Sequence, residues 1–182
     1  MTPHRSARPG TTRAVTHQVR RLEVAVDLPF EHFRARYEHA VPPFDPHDFF
    51  GDAAPEASDW ATISRITEQQ TPHGFLLYWR SEIDLMMRVA GHERRCTTYL
   101  MGNHLIAERM YRHNPGIILY APLRTTIYED GNDRVWFTVD QPSTRFSSFR
   151  DPQIASVGAE LDGKLADLFT TLGIAAPHEL TR

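Results

Sequence analysis

Residues 99–143 read YLMGNHLIAERMYRHNPGIILYAPLRTTIYEDGNDRVWFTVDQPS, and the order of signals inside this stretch decides the fold. Gly102 and Asn103 turn a strand into a helix over 104–113, with Ile106, Met110 and His113 on one side. Asn114, Pro115 and Gly116 stop that helix. Residues 116–130 then read as a strand interrupted at Pro122, because a proline confines a strand to an edge, a bulge or a kink. The turn Asp130, Gly131, Asn132, Asp133 joins it to a strand over 134–140, so the two are expected to form a hairpin.

Working upstream, HERRCTTYLM at 92–101 carries the β-branched and aromatic residues of a strand. GFLLYWRSEI at 74–83 alternates Phe75, Leu77, Trp79, Ser81 and Ile83 against Leu76, Tyr78, Arg80 and Glu82, which predicts another, and a mixed segment over 84–91 separates the two. Leu22, Val24 and Val26 at period two predict a first, half-buried strand over 18–27. Phe30, Phe33, Tyr37 and Ala40 follow as one helical stripe. Four prolines between 41 and 58 predict a long loop, whose Phe44, Phe49 and Phe50 favour a cover packed onto something. Asp59 and Trp60 open a helix through Gln70. At the other end, Asp151 as N-cap and Pro152 as first residue start a long helix that Gly173 ends, with the stripe Ile154, Val157, Leu161, Leu165, Leu168 and Leu172. Runs of strands with helices at the ends imply an α+β fold, an antiparallel sheet with one face covered by helices.

The chain has 182 residues, the size of one domain, and divides into a disordered basic tail over 1–16, a single domain over 17–175 and a tail over 176–182. With 24% charged residues and a net charge of −3, no large attraction to nucleic acid or to anionic membrane is expected. No stretch approaches the ~20 apolar residues of a bilayer span, and the opening MTPHRSARPGTTR lacks the apolar run of a secretory signal. Cys96 is the single cysteine, so no intrachain disulfide forms and a cytoplasmic location is expected.

Gly102, Asn103, Pro115, Pro122, Leu123, Arg124, Tyr128, Glu129 and Pro142 carry a resemblance, weaker from about 74 to 173, to the domain of unknown function 302 family. The resemblance implies a TATA-binding-protein-like topology, in which a curved antiparallel sheet cradles a long C-terminal helix, and a homodimer as a common state. It implies no known reaction. Some members carry cysteines immediately before the asparagine and after the strand proline; here Gly102 and Leu123 hold those places, so thiol chemistry is not carried over.

Arg124, Thr126 and Tyr128 share one face of a strand, where a guanidinium suits a carboxylate or phosphate; pairing of Arg124 with Glu82 or Glu129 is the alternative. Asn103 and His104 stand where a strand becomes a helix. Asn103 serves there as a ligand contact or simply as an N-cap, and His104 as a general acid or base or, with Glu108 and Arg112, as part of a solvated stripe. Asp45, His47 and Asp48 offer three ligand types but lack a metal-site spacing and read as turn formers, so no metal or cofactor is assigned. Cys96 reads as a buried, inert thiol rather than a nucleophile beside Arg94 and Arg95. The rings Tyr78, Trp79, Tyr99, Tyr120, Tyr128 and Trp136 suit a pocket for a flat or apolar molecule, a core, or a dimer interface.

These features lead to an expected small-molecule-binding protein or small enzyme with an apolar pocket between sheet and helix, acting on a carbonyl or carboxylate compound. Arg124, Asn103, Tyr128, Tyr99 and Trp79 are its expected contacts, and His104 and Glu129 its proton carriers. The alternative is a homodimeric interaction module with its aromatic sheet face buried against its mate, and a third reading is haem or metal binding.

Overall fold

Alternation and capping set the elements in the computed structural model, which describes residues 12–51 and 59–181. β1 (Arg21–Val26) leads through α1 (Phe30–Ala40), α2 (Pro46–Phe50) and α3 (Trp60–Gln70) to β2 (Leu76–Glu82). α4 (Asp84–Val89), β3 (Cys96–Gly102) and α5 (His104–Tyr111) follow, then β4 (Leu123–Glu129), β5 (Val135–Asp140), α6 (Pro142–Phe146) and α7 (Pro152–Thr171). The sheet order is β1-β5-β4-β3-β2, with every neighbouring pair antiparallel. The expected α+β architecture, an antiparallel sheet with a long C-terminal helix, is the one observed.

One face of that sheet is the core. Thr97, Tyr99 and Met101 of β3 and Val135, Phe137 and Val139 of β5 are buried, while the residues between them are only partly covered. α1 packs Phe30, Phe33, Tyr37 and Ala40 there, and Tyr37 Oη lies 2.8 Å from Thr125 Oγ1 of β4. α7 and its C-cap Leu172 add all six residues of the expected stripe, each burial contributing about 1.5–3 kcal/mol of transfer free energy. Its start is fixed by Asp151 Oδ1, which accepts from the amides of Gln153 (2.8 Å) and Ile154 (3.1 Å). Its end is fixed by Gly173, whose φ of +69° suits a residue without a Cβ.

The other face carries Arg124, Thr126 and Tyr128 and is covered at the β2 end. There α2 and α3 bury Phe49 and Ile63 against Leu76, in a small second cluster with Phe44, Phe50, Ile66 and Tyr78. The expected loop of 41–58 therefore contains a helix, since Asp45 caps α2 through the His47 amide (2.8 Å) and Pro46 opens it. Residues 52–58 lie outside the described residues.

Three further segments differ from their sequence reading. Residues 116–121 are not strand: Asn114 Oδ1 accepts from the Gly116 amide (2.9 Å) and closes a 3-10 turn over Pro115–Leu119, so the strand begins only after Pro122. The mixed segment 84–91 contains α4, which leaves Leu85, Met86, Met87 and Val89 exposed. Within the supposed tail of 176–182, Leu180 is buried in the core. Of the basic tail, residues 1–11 lie outside the described residues, and 12–16 are exposed. Among the described residues, no helix is long and apolar enough to cross a membrane.

Candidate functional site

β2 and β3 pair with one residue too many on β2: Leu77 stands opposite Met101 and Trp79 opposite Leu100, so Tyr78 has no cross-strand partner. This β-bulge breaks the alternation expected for 75–83. Trp79 and Ser81 join the outer face, while Arg80 and Glu82 turn toward Glu38 and Arg34 of α1. The bulge also leaves Tyr78 aimed at the first turn of α5, where its hydroxyl lies 2.8 Å from His104 Nδ1.

His104 is held at both ring nitrogens. Its Nε2 lies 2.5 Å from Thr67 Oγ1, and Thr67 Oγ1 lies 2.7 Å from the Ile63 carbonyl oxygen. A carbonyl only accepts, so the Thr67 proton goes to Ile63 and Thr67 must accept from Nε2–H. The imidazole is then the Nε2–H tautomer, and Nδ1 accepts from the Tyr78 hydroxyl. The rings of Phe44, Phe49 and Trp60 surround the imidazole at 5.1–6.4 Å between centroids. Burial in this apolar shell pushes His104 below its ordinary value, which keeps it neutral at neutral pH. Burial pushes Tyr78 up to about 12, against a smaller pull from the His104 backbone N–H.

Tyr78 and His104 both line a cavity of about 250 Å³ where the sheet ends and α5 and α7 approach it. Phe75, Ile106, Met110, Pro122, Phe146 and Leu161 are part of its wall, and among the described residues no charged side chain lines it. Gly102 keeps the end of the sheet thin: a Cβ there would sit 3.2 Å from Pro122 Cβ and 3.5 Å from the Tyr78 ring. Asn103 also lines the cavity, but its polar atoms are engaged. Oδ1 accepts from the amides of Leu105 (2.9 Å) and Ile106 (3.3 Å), and Nδ2 donates to the Gly74 carbonyl (3.1 Å).

The remaining expected site residues lie elsewhere. Tyr99 is fully buried in the core, donating to Glu38 Oε1 at 2.9 Å. Trp79 is half exposed on the outer face, and Tyr128 on that face donates to Glu23 Oε1 (3.2 Å). Arg124 borders a separate groove with Tyr120 and Arg145. Glu82 and Glu129, its expected partners, are taken by Arg34 and Arg80 and by Arg95. Glu129 sits at the far end of β4 from Leu123 of the cavity wall, about 20 Å along the strand. Of the seven expected residues, the cavity therefore gathers His104 and Asn103. His104 is also no part of a solvated stripe, although Glu108 and Arg112 do pair with each other. Tyr78 and Thr67 are the additions, and the signal for Tyr78 was its ring on the strand beside the proline-rich cover.

The Arg95 guanidinium, hydrogen-bonded through Nε at 2.8 Å, holds Glu129 below the ordinary glutamate range. A depressed folded value stabilises the protein above the unfolded value of about 4.3 and is lost as pH falls through the folded one. Glu129→Gln should accordingly flatten the fall of the urea midpoint below about pH 4.3. Identical acid limbs for both proteins would show that this pair contributes nothing to acid sensitivity.

Asp45, His47 and Asp48 act as the turn reading supposes: Asp45 caps α2 and Asp48 Oδ2 accepts from Gln70 Nε2 (3.1 Å). Among the described residues, no group of three or more His, Cys, Asp and Glu side chains comes together to hold a metal ion.

The fold and site define an α+β protein with one covered sheet face and an apolar cavity at the end of the sheet. The family model described as "domain of unknown function DUF302" matches residues 56–172, and the chain belongs to that family. In fold it is similar to a solved structure, the uncharacterized conserved protein DUF302 from Bacillus stearothermophilus, with a TM-score of 0.60 and 14% identity. That match covers 84% of this chain and 97% of the Bacillus chain. No curated protein matches significantly.

Proposed function

We propose that this chain is a small-molecule-binding protein whose ligand is uncharged and largely apolar, and that proton transfer through Tyr78 and His104 is the chemistry open to it. The observation that carries this reading is the bulge that aims Tyr78 at His104 on the wall of an apolar cavity of about 250 Å³. The volume exceeds the ~150 Å³ apolar cavity that takes benzene, so a molecule of one or two rings is the matching size. A carboxylate compound fits poorly, because a bare charge would be desolvated with no cation among the described residues of the wall. Ile118, half exposed on that wall, gives the test. Native mass spectrometry should find a releasable small-molecule adduct or accept added naphthalene, and Ile118→Trp should weaken naphthalene binding at least about tenfold by obstructing the cavity, a loss of ~1.4 kcal/mol. Equal binding by both proteins would overturn the assignment of the cavity.

Self-association is the second reading, favoured by Trp79 at 50% exposure on the outer face and by Met86 at 68% and Val89 at 88% on α4. A monomer in sedimentation at micromolar concentration would end it. The Cys96 thiol, pushed up by its burial and by the charge of Asp84, suits the cytoplasmic location that belongs to the same proposal.

A further inference from the structure

The hydrogen bonds behind the cavity wall run in one direction, and that direction selects a ligand. Thr67 donates to the Ile63 carbonyl, His104 Nε2–H donates to Thr67, and the Tyr78 hydroxyl donates to His104 Nδ1. Every proton in the chain is committed to its next member. The Tyr78 oxygen, its own proton committed and one lone pair turned to the His104 backbone N–H, has its remaining lone pair to offer a ligand. Asn103 on the same wall is held as a cap, with Oδ1 accepting from two amides and one of its two Nδ2 hydrogens going to the Gly74 carbonyl. At rest the Tyr78 oxygen is therefore an acceptor toward a ligand.

From this geometry we infer that the cavity takes an uncharged hydroxyl compound, a phenol or a ring-bearing alcohol, whose O–H donates to Tyr78 Oη while its hydrocarbon fills the apolar wall. This rests on the reading of the cavity as a ligand site and narrows the ligand within it. A carbonyl or an ether brings only lone pairs and meets the lone pairs of Tyr78. To bind such a group Tyr78 must withdraw its proton from His104, leaving Nδ1 buried without a donor. A carboxylate brings the same mismatch together with an unpaired charge.

Isothermal titration of the full chain at neutral pH with naphthalene, naphthol, naphthyl methyl ether and naphthoate separates the two levels of the argument. Naphthol should bind about tenfold or more tightly than its methyl ether, the worth of one well-placed hydrogen bond, and naphthoate should bind weakest. In Tyr78→Phe, naphthol should lose its advantage over naphthyl methyl ether, the two binding within about twofold of each other. If naphthalene binds but naphthol holds no advantage over the ether or the acid, the cavity reading stands and the hydroxyl inference is wrong. If none of the four binds, both are wrong. The wild-type series decides the matter even should the variant fail to fold.

Discussion

Phe137→Ala is expected to cost about 3–5 kcal/mol, a large part of the stability of a domain of this size. Phe137 is fully buried at the centre of β5, where two helices meet it. Its ring lies 6.0 Å from Phe33 and 5.4 Å from Tyr37, both on α1, and 5.3 Å from Phe169 on α7. The truncation thus removes more than transfer energy: α1 and α7 lose the ring that both rest on, and the space left is bounded by aromatic rings that cannot fold into it. Equilibrium urea unfolding should show a much lower midpoint with an unchanged m-value. A loss below about 1.5 kcal/mol would mean that the two helices pack on each other without help from this ring.

The strand that holds Phe137 was legible in the sequence because a turn of Asp130, Gly131, Asn132 and Asp133 sets it off as half of a hairpin, and α7 was legible because its caps and stripe agree. Both signals are local, the kind a periodicity can carry. Tyr78 shows what a periodicity misses. An inserted residue is defined only against the strand it pairs with, so the run 75–83 reads as plain alternation until β3 is laid beside it. Arg124 shows a second limit: its face was shared with Tyr128 as expected, but which face the helices cover depends on α1 and α7 together. Tyr99 was taken for a ligand contact because of its polar tip, and that tip is satisfied in the interior by Glu38, 61 positions away in sequence.

Asp162→Ala carries the other large expected loss, about 3 kcal/mol, and no sequence pattern announces it. The carboxylate stands on α7 at only 6% exposure. It accepts from Gln141 Nε2 at 2.6 Å, from the Ser143 amide at 2.9 Å and from Ser143 Oγ at 2.6 Å. Gln141 passes the connection on: its Oε1 accepts from Arg20 before β1 (2.9 Å), and its Nε2 also reaches the Glu179 carbonyl (2.9 Å). One carboxylate therefore joins the approach to β1, the end of β5, the start of α6 and the C-terminal turn to the long helix. Alanine would strand the Ser143 amide and hydroxyl, each a donor that costs ~1–3 kcal/mol when buried without a partner. Asp162→Asn should fall between, because it keeps one oxygen for Ser143 but sets an NH2 group against that of Gln141. Phe146, three residues beyond Ser143 on α6, is part of the cavity wall, so loosening this joint should weaken naphthalene binding along with the fold. A stable Asp162→Ala protein with unchanged naphthalene affinity would show that α6 is held by its apolar contact with α7 alone.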